Sequence, residues 1–76
     1  MMNAEKIAKG IENMTNNLKW YTDDYNKALD MLKAEMASDK PNMDTVIAYA
    51  NNVKEIENRI QIVTEKRAML EAILNA

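Results

Sequence analysis

The sequence predicts an all-α protein, a long antiparallel helical hairpin of two heptad-patterned helices that dimerises into a four-helix bundle. Three observations favour this fold. Apolar residues recur every seven residues through both halves of the chain. The chain has only one Gly and one Pro, so almost nothing interrupts a helix. With 76 residues and no Cys for a disulfide, stability has to come from helix packing and self-association.

The first helix of this single domain, residues 1–76, is predicted over about residues 3–36. Its seam, the stripe that faces the second helix, consists of heptad a positions Ala4, Ile11, Leu18, Tyr25 and Leu32 and d positions Ile7, Met14, Tyr21 and Ala28. A second interpretation starts a new helix at Thr22, with Asp23 and Asp24 in its first turn, and gives three helices. The heptad continues through this point without a break, which favours a single helix.

The segment ASDKPN, residues 37–42, is the predicted turn. Pro41 cannot continue a helix, and Ser38, Asp39 and Asn42 have side chains that can accept hydrogen bonds from free backbone N–H groups. A connection of about six residues makes consecutive helices antiparallel neighbours. The turn therefore predicts a hairpin.

The second helix is predicted over about residues 43–75. Its seam consists of a positions Val46, Val53, Ile60, Arg67 and Leu74 and d positions Tyr49, Ile56, Val63 and Leu70. Because a lone buried charge is costly, Arg67 is expected to extend past the core or to pair with Glu12 or Glu5 across the hairpin. Three surface ion pairs are expected from acid-before-base spacing: Glu5 with Lys9, Asp23 with Lys27 and Glu55 with Arg59.

Trp20 lies at heptad position c, about 130° from the centre of the seam at 100° per residue, so it cannot belong to the hairpin core. With the turn centred near Asp39 and Lys40, Trp20 is expected level with Arg59 and Ile60, and Gly10 level with Met69. Apolar residues outside the seam lie on the same flank. The predicted partner-binding residues are Trp20, Ile62, Met69 and Ile73, with Arg59 and Lys66 as their polar rim.

A second apolar cluster is expected on the opposite flank near the turn: Leu29, Met36, Ile47 and Ala50. Contiguous apolar surface of this kind usually marks a contact surface. Apolar surface outside the seam most often forms the core of a four-helix bundle made by two hairpins. This interpretation predicts a homodimer. The other interpretation leaves part of the surface open for a different protein, because Trp, Met and Arg are enriched in interfaces.

The residue types argue against catalysis, so no catalytic, cofactor-binding or metal-binding residue is predicted. With no His and no Cys, the usual activated nucleophile and the commonest metal ligands cannot be built. Ser38, the only Ser, lies in the turn, where a capping role is commoner. The turn also lacks the central Gly and the alternating oxygen ligands of a calcium loop.

The distribution of charge indicates less about a binding partner than the apolar pattern does. The 10 basic and 12 acidic residues are spread along the chain, for a net charge of −2. Lys6, Lys27, Arg59 and Lys66 form a modest basic stripe on the g flank, which keeps nucleic acid as an alternative partner. The mixed polar faces argue against membrane binding, and no apolar targeting segment is evident, so a soluble cytoplasmic protein is expected.

The predicted function is a non-enzymatic protein–protein interaction module: an adaptor, chaperone or inhibitor that covers a surface of a larger protein. Small helical hairpins of this shape include secretion chaperones, plasmid and phage regulators and inhibitors of larger enzymes, and shape alone does not choose among them. The alternative is a helical-bundle regulator that binds nucleic acid.

Overall fold

The computed structural model describes residues 3–76, and these form two helices, α1 (Ala4–Met36) and α2 (Met43–Leu74). The helices pack side by side in a rod with principal extents of 60 × 14 × 13 Å. Gly10 lies beside Leu70 and Thr15 beside Arg67, so α1 and α2 are antiparallel. The predicted all-α hairpin is confirmed.

The interpretation with three helices is wrong, because α1 passes through Thr22 without interruption. The Thr22 hydroxyl donates a hydrogen bond to the carbonyl oxygen of Leu18 at 2.7 Å. Its side chain therefore bonds to the preceding turn of the same helix, as Ser and Thr do inside helices, and does not cap a new one.

Each helix begins with an Asn cap. The Asn3 Oδ1 accepts a hydrogen bond from the Lys6 N–H at 3.1 Å, and the Asn42 Oδ1 accepts one from the Thr45 N–H at 3.2 Å. Each bond satisfies one of the N–H groups that have no partner within the helix. Asp44 lies in the first turn of α2, where a negative charge is favourable.

The turn is closed by Glu35, whose Oε1 accepts a hydrogen bond from the Asn42 N–H at 2.9 Å. Ser38 differs from the prediction, because its hydroxyl donates to the Glu35 carbonyl oxygen at 2.8 Å instead of accepting from an N–H group. Of the three predicted capping side chains, only Asn42 accepts a backbone N–H in the part of the chain that the structure describes.

The seam between α1 and α2 contains the two most buried side chains, Ala28 at 5% exposed and Val53 at 9%. The other seam residues are half-buried, apart from Ala4, which is exposed. A small Ala at the level of Val53 allows the two helices to approach closely. The core is shallow because each helix has only one neighbour.

Surface ion pairs differ from the expected set. The Lys9 Nζ lies 3.7 Å from the Glu12 Oε2, and the Arg67 Nε lies 3.7 Å from the Glu71 Oε1. Within residues 3–76 these two are the ion pairs closer than 4.0 Å, so the three pairs expected from sequence spacing are not formed. Exposed side chains of this length gain little from a fixed pair.

Candidate protein-interaction surface

Much of the apolar surface of the hairpin stays outside the seam. Among the described residues, the large apolar side chains that are exposed are Trp20, Met31, Met36, Met43, Ile47, Ile62, Met69 and Ile73. Trp20 is 74% exposed and Met69 is 64% exposed. A two-helix seam covers one stripe of each helix, and these residues lie beyond it.

Five of these eight residues share one side of the hairpin, because all five occupy heptad c or g positions. In an antiparallel pair the g flanks of the two helices adjoin, and the c positions lie just beyond them. This side, the tryptophan face, contains Trp20 and Met31 from α1 and Ile62, Met69 and Ile73 from α2. Exposed apolar residues are thus concentrated along one face of the rod.

The other three lie on the opposite side near the turn and form the turn-end cluster: Met36, Met43 and Ile47. The sequence predicted Met36 and Ile47 there, with Leu29 and Ala50. In the structure Leu29 is half-buried and Ala50 is exposed. Met43 adds to this cluster because it is the first residue of α2.

All six predicted partner-binding residues are exposed. The six are Trp20, Arg59, Ile62, Lys66, Met69 and Ile73, and each lies at a c or g position of the tryptophan face. That they bind a partner stays a prediction. The sequence interpretation missed Met31, although its position 11 residues after Trp20 returns it to the same side of α1.

The helix register differs slightly from the expected one. A Cβ atom placed on Gly10 would lie 3.5 Å from the Leu70 Cδ1, so Gly10 faces Leu70 and not Met69. In the Thr15–Arg67 hydrogen bond, too, the α1 residue meets an α2 residue nearer the C-terminus than expected. Trp20 therefore lies level with residues 60–62, beside Ile62 of the same face.

The tryptophan face is more basic than the rest of the chain. Its cations are Lys6, Lys27, Arg59 and Lys66 and its anions are Asp24 and Glu55, which gives this face a charge of +2 in a chain of net charge −2. Trp20 shares a shallow surface depression with Asp23, Asp24 and Lys27. Trp is enriched in protein interfaces, whereas their centres are depleted of charged residues.

Arg67 points to the opposite side of the hairpin. Its Nη1 donates to the Thr15 Oγ1 at 3.4 Å, and its Nε contacts Glu71 within α2. The expected pairing with Glu12 or Glu5 is wrong, because a partner one helical turn away on the same helix is within reach. This side also has a shallow groove lined by Thr15, Leu18, Lys19, Thr22, Asp23, Ile60, Thr64 and Arg67.

No protein family model, curated protein or solved structure matches this chain. In residues 3–76, no group of three or more acidic side chains is arranged to hold a metal ion. Neither α1 nor α2, as described, contains a stretch that is both long enough and apolar enough to cross a lipid bilayer.

Proposed function

We propose that this chain is a non-enzymatic protein–protein interaction module, an adaptor, chaperone or inhibitor that covers a surface of a larger protein. The observation that carries the proposal is the concentration of five exposed large apolar side chains on the tryptophan face. Burying a side chain of this size is worth about 1.5–3 kcal/mol. A surface that holds several of them gains substantially when another protein covers it.

The composition of the tryptophan face supports a protein partner. Trp, Met and Arg are enriched at the centres of protein interfaces, and this face contains Trp20, Met69 and Arg59. Exposed Met side chains adapt to irregular surfaces because they are unbranched and flexible. Lys66 lies between Ile62 and Met69 on α2, and Arg59 lies one turn before Ile62, so the complementary surface is apolar with acidic groups.

The proposal is tested by affinity capture from the native host with the immobilised chain. The test variant is Ile62→Asp with Met69→Asp, and the control is Ile47→Asp in the turn-end cluster. We expect a protein retained in stoichiometric amount by the wild type and by the control, and lost with the double variant. Equal retention by all three, or none by the wild type, would contradict the proposal. Circular dichroism checks that helix content is unchanged.

A second candidate function is nucleic-acid binding, and the observation that favours it is the four cations spread along the tryptophan face. Aromatic side chains stack on bases while Lys and Arg neutralise phosphates. This function predicts binding of a single-stranded oligonucleotide that weakens steeply with salt. Fluorescence anisotropy at 50 and 200 mM salt tests it, and an affinity independent of salt would argue against it.

A further inference from the structure

One stripe of residues on α1 has an order that would match a second, antiparallel copy of the same stripe. Positions 6, 10, 13, 17, 20 and 24 are spaced three or four residues apart, and at 100° per residue they fall within a stripe about 80° wide. The residues of this α1 stripe are Lys6, Gly10, Asn13, Asn17, Trp20 and Asp24. All are exposed except Gly10, which is half-buried beside Leu70.

The order of residues in the α1 stripe is self-complementary. If a second α1 is laid on it antiparallel, with the two-fold axis midway between Asn13 and Asn17, these two amides face each other. The same axis places Gly10 opposite Trp20, and it places Lys6 opposite Asp24. Each pair occurs twice, because a two-fold contact uses the same patch on both copies.

We propose that the α1 stripe is the contact between two copies of this chain, in which Trp20 of each copy packs over Gly10 of the other. The contact joins a large exposed ring to the one position of the stripe without a side chain. The paired charges are opposite in sign, and the paired amides can each donate and accept a hydrogen bond.

Gly10 is the residue that the hairpin alone does not explain. Its φ angle is not positive, so its backbone conformation does not require glycine. A Cβ atom there would make an ordinary contact with Leu70 at 3.5 Å, so packing within the hairpin does not require glycine either. Glycine inside a helix costs about 1 kcal/mol relative to Ala. Close approach of the second copy's indole gives this position a reason to lack a side chain.

The proposal goes beyond the proposed function, because it divides the tryptophan face between two contacts. When the dimer forms, Trp20 is covered by the self-contact on α1, and the proposed function then depends on the exposed apolar residues of α2. The α2 residues Ile62, Met69 and Ile73, with Arg59 and Lys66, stay available to a larger partner. The two ideas are therefore tested with different variants, and either can fail without the other.

Trp20 is the only Trp, so its fluorescence reports directly on this contact. Molar mass by light scattering and Trp emission are measured over the same concentration series. We expect the mass to rise from one chain to two while the emission maximum shifts to shorter wavelength as the indole leaves water. A chain that stays monomeric up to millimolar concentration would overturn the proposal, and so would a dimer without the spectral shift.

Trp20→Ala is the companion variant. Because the ring is exposed in the single hairpin, helix content is expected to stay unchanged. Loss of the Trp20 ring in both copies is expected to raise the dimer Kd by about 100-fold or more. A Kd within twofold of the wild type would overturn the proposal.

Charge reversal tests the register of the contact. Lys6→Asp and Asp24→Lys each place like charges together twice, and each is expected to raise the dimer Kd about tenfold at low salt. The double variant restores opposite charges and is expected to recover the wild-type Kd. Lys54→Asp, on the opposite side of the hairpin, makes the same charge change as Lys6→Asp and serves as the matched control. Failure of the double variant to recover would overturn the pairing.

Discussion

Arg67 shows how one charged residue is accommodated in an apolar seam. Its side chain is half-buried and leans out of the seam, where it contacts Thr15 on α1 and Glu71 on α2. The Thr15 hydroxyl donates to the Ile11 carbonyl oxygen at 2.9 Å and so has lone pairs left to accept from Arg67. Both partners are partly exposed to water, which limits what the contacts contribute.

Replacing Arg67 with Leu is expected to preserve or raise the thermal stability of the hairpin. Leu adds apolar surface to the seam, worth about 1 kcal/mol or more, while the lost contacts are partly exposed and worth less. Tm by circular dichroism measures the effect. Glu71→Gln, which removes only the ion pair, serves as the control and should leave Tm almost unchanged. A large fall in Tm for Arg67→Leu would show that its polar contacts are essential.

Gly10→Ala is expected to have opposite effects on folding and self-association. In the single hairpin it should raise the free energy of unfolding by about 1 kcal/mol, because Ala is the better helix former. In the proposed dimer the added methyl group lies under the second copy's indole and should raise the Kd. Urea unfolding below the dimerisation range and light scattering above it separate the two effects. A lower free energy of unfolding in the monomer would contradict the expected gain in stability.

The turn shows that two helices can be joined by a few polar contacts at their ends. Glu35 bonds across the turn to the Asn42 N–H, and Asn42 in turn caps α2 through the Thr45 N–H. Ser38 bonds back to the last turn of α1. The same residues therefore end α1, reverse the chain and begin α2.

Asn42→Ala is expected to destabilise the hairpin by about 1 kcal/mol, the usual effect of losing an N-cap side chain. Asn42→Ser keeps a capping oxygen and is the matched control. The free energy of unfolding from urea titration measures both. Equal stability of the Ala and Ser variants would mean that the cap contributes nothing to the fold.

The elements differ in how far the sequence could predict them. The heptad defines which face of each helix is buried, and Ala28 and Val53 were assigned to the seam on this basis. Glu35 was missed because its bond to Asn42 depends on the path of the turn. The partner of Arg67 was wrong because a heptad position does not fix the rotamer of a long side chain. The exposure of Trp20 followed from its c position alone.

At the scale of the whole molecule, packing is not uniform along the rod. The two most buried residues, Ala28 and Val53, lie nearer the turn than the open end, where Ala4 is exposed. The turn also ties the helices together covalently at one end only. Stability against local opening is therefore expected to fall from the turn towards the open end.

Hydrogen exchange measures this gradient. Amides around Ala28 and Val53 are expected to exchange most slowly, and those in the outermost turns, near Asn3 and Ala76, are expected to exchange fastest. In the proposed dimer the slow region should extend towards Gly10 as concentration rises. Uniform protection along both helices would contradict the gradient.

The antiparallel arrangement also determines how the protein responds to mechanical force. Asn3 and Ala76 lie at the same end of the rod, opposite the turn. A load that pulls these two ends apart acts across the seam and not along it, so contacts break in sequence, first near Gly10 and Leu70 and later near Ala28 and Val53. The hairpin should therefore unzip at low force, one pair of contacts after another.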